Sequence, residues 1–198
     1  MPKGRVLALA CLLWGAPSAR ADVIYQYTGP GTTSAGPGTT SDFVSATFTL
    51  PTALGDNLSN FTVCNAQATP AINCTFPFRI SDGVDTPLTN ANSSLQFLDG
   101  ISTNGDGIPT DWSFFVEATG AGLNVVSISS GSGLGVPGEG VPAGDGEDAV
   151  KTNNGNASVL YIPSSQYWSV VPVPEPSTLT LCAIGLSLLA AVNQRRKA

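Results

Sequence analysis

Histidine is absent from the sequence. That absence removes the commonest general base and the commonest metal ligand together. A Ser-His-Asp triad and a Cys-His dyad are excluded with it. Charge is scarce too: Asp, Glu, Lys and Arg make up 11% of the 198 residues, against about 25% in ordinary soluble domains. Basic charge is the scarcer sign. Lys3, Arg5 and Arg20 stand near the start and Arg195, Arg196 and Lys197 at the end, which leaves only Arg79 and Lys151 between them. All fourteen acidic residues lie from Asp22 to Glu175, so that stretch carries a net charge of −12. Such a field excludes nucleic acid as a partner and repels anionic polymers and anionic membrane surfaces unless divalent cations bridge them. No glycine-rich phosphate loop leads into a helix.

What is present is glycine, proline and short apolar runs. Gly (22) and Pro (15) punctuate the chain, and long helical periodicities are missing. Phe43 to Leu50 alternates Val44, Ala46, Phe48 and Leu50 with Ser45, Thr47 and Thr49, the period-two pattern of a half-buried strand. Asp22–Thr28, Asn60–Asn65, Cys74–Ile80, Ser94–Asp99, Asp111–Ala118, Leu123–Ser129, Ala157–Ile162 and Gln166–Val171 read as further strands. Pro77 demotes the third of these towards a sheet edge. Asp111–Ala118 and Leu123–Ser129 read as a hairpin. The heptad Gly29–Ala35 is nearly repeated as Gly36–Asp42, a composition that cannot pack a core and reads as a loop. Residues 130–156 read as a Gly-rich, acidic, mobile loop holding Glu139, Asp145, Glu147 and Asp148. About nine short strands in one domain, residues 22–171, point to an all-β fold of the antiparallel sandwich or jelly-roll kind.

The two ends differ from the middle. Lys3 and Arg5, the apolar run Val6–Trp14 and the small-x-small site Ala19-Arg20-Ala21 stand in the order of a secretory signal peptide. The expected signal helix is 1–21, cleaved by signal peptidase after Ala21. Cys11 and Cys182 fall in the two ends, so Cys64 and Cys74 are the cysteines of the exported part. In an oxidising compartment they suggest one disulfide closing a short loop, worth roughly 2.5–3 kcal/mol by chain entropy. Free thiols or a redox or metal pair are the alternatives.

Residues 172–198 form a tail in three pieces. Val173-Pro174-Glu175-Pro176-Ser177-Thr178 is held extended by its prolines. Leu179 to Val192 is an apolar run of 14 residues, expected as a short transmembrane helix. As a helix it spans about 21 Å, short of a hydrocarbon core of roughly 30 Å, with snorkelling basic side chains to extend it. Arg195, Arg196 and Lys197 are the membrane stop, held cytoplasmic by the positive-inside rule. The arrangement resembles the PEP-CTERM sorting signal of exported bacterial proteins, a tail type also labelled an ice-binding-protein C-terminal motif. The resemblance covers about 26 residues and implies recognition of Pro174, Glu175 and Pro176 by an exosortase, a membrane-embedded cysteine protease. It implies an exported protein, transiently anchored in the inner membrane and then passed to the cell surface or extracellular matrix. A GPI signal, which would not normally finish in Arg195-Arg196-Lys197, and a plain single-span anchor are the rival readings.

Candidate sites in the domain are few. Asp99, Asn104, Asp106 and Asp111 stand around Asn104-Gly105-Asp106-Gly107, a segment that is either a calcium loop or a polar turn between strands. The EF-hand spacing is not met. Glu117 or Asp106 would be the carboxylates of a polysaccharide hydrolase. Trp112, Tyr167 and Trp168 would stack on sugars or fill the core. The expectation is a non-enzymatic surface or matrix protein associated with exopolysaccharide, with a carbohydrate- or calcium-dependent binding module as the alternative.

Overall fold

The computed structural model describes residues 22–31, 43–132, 146–173 and Gly185. The signal peptide with Ala19 and Ala21, the second heptad, Glu139, Asp145, Pro174–Pro176, the rest of the apolar run 179–192 and Arg195–Lys197 lie outside the described residues. Among the described residues eleven strands follow one another: β1 (Val23–Gly31), β2 (Phe43–Leu50), β3 (Cys64–Asn65), β4 (Phe78–Ser81), β5 (Leu88–Thr89), β6 (Ser93–Thr103), β7 (Pro109–Ala118), β8 (Val125–Ser132), β9 (Gly146–Thr152), β10 (Gly155–Tyr161) and β11 (Trp168–Pro172). One turn of 3-10 helix, Ser165–Tyr167, links the last two. Among the described residues no helix is long and apolar enough to cross a membrane.

The protein is all-β, with two antiparallel sheets. One has the strand order β11-β1-β2-β4-β5 and the other β10-β9-β8-β7-β6-β3. The alternation read from the sequence sets which face is covered. Val44, Ala46, Phe48 and Leu50 of β2 are buried, as are Trp112, Phe114 and Val116 of β7. Glu117 is exposed, beside Phe115 on the outer face. The expected hairpin forms between β7 and β8, with Glu117 opposite Ser127 and Phe114 opposite Ser130.

One apolar core draws on both sheets. The Tyr27 ring of β1 lies 5.1 Å from Trp112 of β7 and 5.3 Å from Trp168 of β11. Phe48 of β2 meets Phe114 edge-on at 5.4 Å. Such tilted contacts suit the ring quadrupoles. Each fully buried ring of this size contributes about 1.5–3 kcal/mol over an exposed one.

Several boundaries differ from the sequence reading. β1 does not stop at Thr28 but continues through Gly29-Pro30-Gly31, with an irregularity between Thr28 and Gly31 before Gly31 pairs with Phe43. A bulge tolerates Pro30, which has no N–H for a ladder. β4 begins after Pro77 rather than at Cys74, for the same reason. It is not an edge strand, since it lies between β2 and β5. Asn60–Asn65 shrinks to Cys64–Asn65, because Phe61 makes only an isolated bridge to Ile101 and is exposed. The largest correction falls in residues 130–156, which are not one loop. β8 runs on to Ser132, and β9 and the start of β10 occupy 146–156.

Candidate functional site

Asn104 explains the segment between Asp99 and Asp111. Its side-chain oxygen accepts the backbone N–H groups of Asp106 at 2.9 Å and Ile108 at 3.0 Å. Gly107, at φ +70°, closes the turn with an N–H to the Asn104 carbonyl. Asn104 is therefore spent on turn geometry. Asp99 accepts from the Asn65 side-chain amide at 2.8 Å, and burial pushes its carboxyl above the usual range. Asp111 accepts the N–H of Trp112 at 2.9 Å. Asp106 is exposed on the turn. Among the described residues, no group of three or more Asp, Glu, Cys or His is placed to hold a metal ion.

The hydrolase pair is not assembled either. Asp106 precedes β7 and Glu117 stands near its far end. The strand between separates them by about 26 Å at 3.3 Å per residue, whereas glycosidase carboxyls stand roughly 5–10 Å apart. The aromatic candidates are core residues. Trp112 has no exposure and Trp168 is buried, with Tyr167 half-buried against Tyr27 and Tyr161.

Two of the four acidic residues read as solvated loop, Glu147 and Asp148, are instead enclosed. Glu147 is buried and Asp148 has no exposure. Tyr27 donates its hydroxyl to the Asp148 carboxylate at 2.8 Å. Ser130 lies opposite Asp148 in the β8–β9 ladder. Its hydroxyl oxygen accepts the Trp112 indole N–H at 2.9 Å and lies 3.0 Å from the Tyr161 hydroxyl. Burial pushes the Asp148 carboxyl up to about 7, although hydrogen bonds from Ser130, Tyr27 and Tyr161 pull it back. The Tyr27 hydroxyl is raised by its own burial first and by the neighbouring carboxylate second. The cluster can hold a proton near neutrality inside the core.

Gly29 is part of this packing. A Cβ there would overlap an Asp148 carboxylate oxygen and crowd the Tyr27 hydroxyl. A signal for β9 existed in the sequence. Asn153-Asn154-Gly155 is a hairpin signal, with Asn153-Asn154 as the turn and Gly155 opening β10 opposite Thr152, and Asp148, Val150 and Thr152 keep period two ahead of it. The glycine and acid content of 130–156 masked that signal.

Cys64 and Cys74 are joined in a disulfide, as expected. Beside it lies an open groove of about 490 Å³ lined mainly by Leu50, Leu54, Leu58, Phe61, Val63 and Phe76.

The last strand leads directly into the tail. β11 ends at Pro172, and the Val173 N–H donates to the Asp22 carbonyl at 2.9 Å. Residues 172–197 match the family model described as the PEP-CTERM protein-sorting motif. The chain is a PEP-CTERM domain-containing protein. The motif marks this PEP-CTERM protein as exported and sorted by an exosortase at the membrane. No curated protein and no solved structure matches the chain. The match to the PEP-CTERM motif opens on the final residue of β11.

Proposed function

We propose that this PEP-CTERM protein is a non-enzymatic structural component of the cell surface or extracellular matrix, associated with exopolysaccharide. The observation that carries the reading is the sorting motif at 172–197, which begins where the last strand ends. The cargo it delivers is a histidine-free, acidic β domain, whose two sheets we take to pack as a sandwich of the jelly-roll kind. Its best-enclosed carboxylate is locked among tyrosines instead of facing a cleft. Signal peptidase and exosortase are its processing enzymes, and Pro174, Glu175 and Pro176 are recognition residues.

Fractionation of cells making the full chain tests this. The expected result is a tail-trimmed form outside the cell, and retention of the tail-bearing form in membranes once Pro174, Glu175 and Pro176 are all replaced by alanine. A full-length form held stably in the cytoplasm would sink the reading.

A second reading, a carbohydrate-binding module, is favoured by the groove beside the disulfide. Its wall offers the exposed Phe61 ring together with Thr52, Asn73 and Thr75. Calorimetry against a glycan panel separates the two readings, and absence of heat with every glycan removes the second.

A further inference from the structure

β10 is the end strand of the six-stranded sheet, and no strand among the described residues pairs with its outer edge. An open edge presents N–H and C=O groups ready to template another strand, and folded proteins normally blunt such edges. The other three edges here are blunted. β3 is two residues long and held by the Cys64–Cys74 disulfide. β5 is also two residues long. β11 is five residues long and ends in Pro172. β10 has no such device. It runs seven residues, GNASVLY, without proline and without charge.

Its outward side chains are neutral as well. Ala157 and Tyr161 point to the core, so alternation turns Asn156, Ser158 and Leu160 outward. Leu160 is 54% exposed and Ile162, just past the strand, 75% exposed. These are the two most exposed large apolar side chains described.

We propose that the β10 edge is a homodimer interface, on which β10 of a second copy adds antiparallel and extends the six-stranded sheet. Charge selects the occupant. Between Asp22 and Glu175 the chain carries −12, so acidic faces of two copies repel each other, whereas β10 brings no charge to the contact. Antiparallel self-pairing about a two-fold axis at Leu160 sets Leu160 against the partner's Leu160 and Ser158 against the partner's Ile162, covering the exposed apolar groups. The contact is isologous, and with one open edge per copy it closes at two instead of growing into a fibre. The inference stands independently of how the tail is read.

The test uses the full-length chain in mild detergent, with Cys11 and Cys182 replaced by serine. Directly opposed residues of an antiparallel pair stand about 4.5–5.5 Å apart at Cα, within the reach of a disulfide. Leu160→Cys is therefore expected to give a disulfide-linked dimer on mild oxidation, and Glu117→Cys, exposed on β7, is not. By sedimentation the cysteine-replaced chain should be a dimer whose association tightens with added salt, as repulsion between the acidic bodies is screened. Leu160→Lys should weaken it at least tenfold and leave unchanged the thermal midpoint measured at dilutions where both chains are monomeric. Crosslinking through residue 160 no faster than through residue 117 overturns the proposal. So does a monomer at all concentrations, or a dimer indifferent to Leu160→Lys.

Discussion

Tyr27 and Asp148 lie 121 positions apart in sequence and meet at 2.8 Å, hydroxyl to carboxylate. The bond ties β1 of one sheet to β9 of the other inside the core. It has a pH signature. Burial raises the folded carboxyl to about 7, against about 3.9 unfolded. The folded state then binds more protons than the unfolded chain between those values. The stabilisation is fully present below about pH 4 and is lost as pH rises through 7, at up to about 1.4 kcal/mol per unit. Asp82 and Asp99 are raised by burial too and act in the same direction. The expected outcome is a denaturation midpoint that falls from pH 4 to pH 7. Asp148→Asn, which mimics the protonated acid, should flatten that profile and become the more stable form near pH 8. A midpoint that climbs from pH 4 to pH 7 would contradict the account.

Two glycines should rank in a definite order. A Cβ on Gly131 meets the Trp112 carbonyl and the Ser113 backbone, at φ +135°. Neither backbone nor dihedral can yield cheaply. A Cβ on Gly29 meets the ends of the Asp148 and Tyr27 side chains, which can shift. Gly29→Ala is expected to destabilise by about 1–3 kcal/mol, and Gly131→Ala by more. Urea titration of both variants checks the order.

Joint replacement of Cys64 and Cys74 by alanine should destabilise by about 2–4 kcal/mol. The loss should coincide with that of the unreplaced chain under reductant. Phe61 and Phe76 fluoresce too weakly to report the loop, so hydrogen exchange over residues 51–76 is the local readout.

Asn104→Ala removes the acceptor of two backbone N–H groups. A cost of about 1–3 kcal/mol follows. Millimolar Ca²⁺ should leave the melting temperature of the parent chain unchanged if the segment is a turn. A rise in melting temperature that Asn104→Ala abolishes would restore the calcium reading.

The legible parts of the fold were those where a single strand declares its own faces. Val44 to Leu50 and Trp112 to Val116 alternate cleanly, because one face meets the core and the other water. Pro77 announced a break in pairing, though not that β4 would lie inside its sheet. Glu147 and Asp148 misled, since acids beside glycine ordinarily mean solvent. No local rule predicts that Tyr27, from the far end of the chain, will supply the hydroxyl that lets Asp148 be buried.

By itself the sequence determined the sorting tail, the strand-rich character, the cysteine pair and the exclusion of histidine chemistry. Each depends on residue identity or on spacing within one short stretch of chain, which the covalent chain fixes directly. Only the tertiary structure decided which acids are enclosed, which aromatics fill the core and which strand keeps an open edge. Those outcomes come from pairing between distant segments, where burial and ladder hydrogen bonds outweigh the local preference of residues such as Asp148 for water.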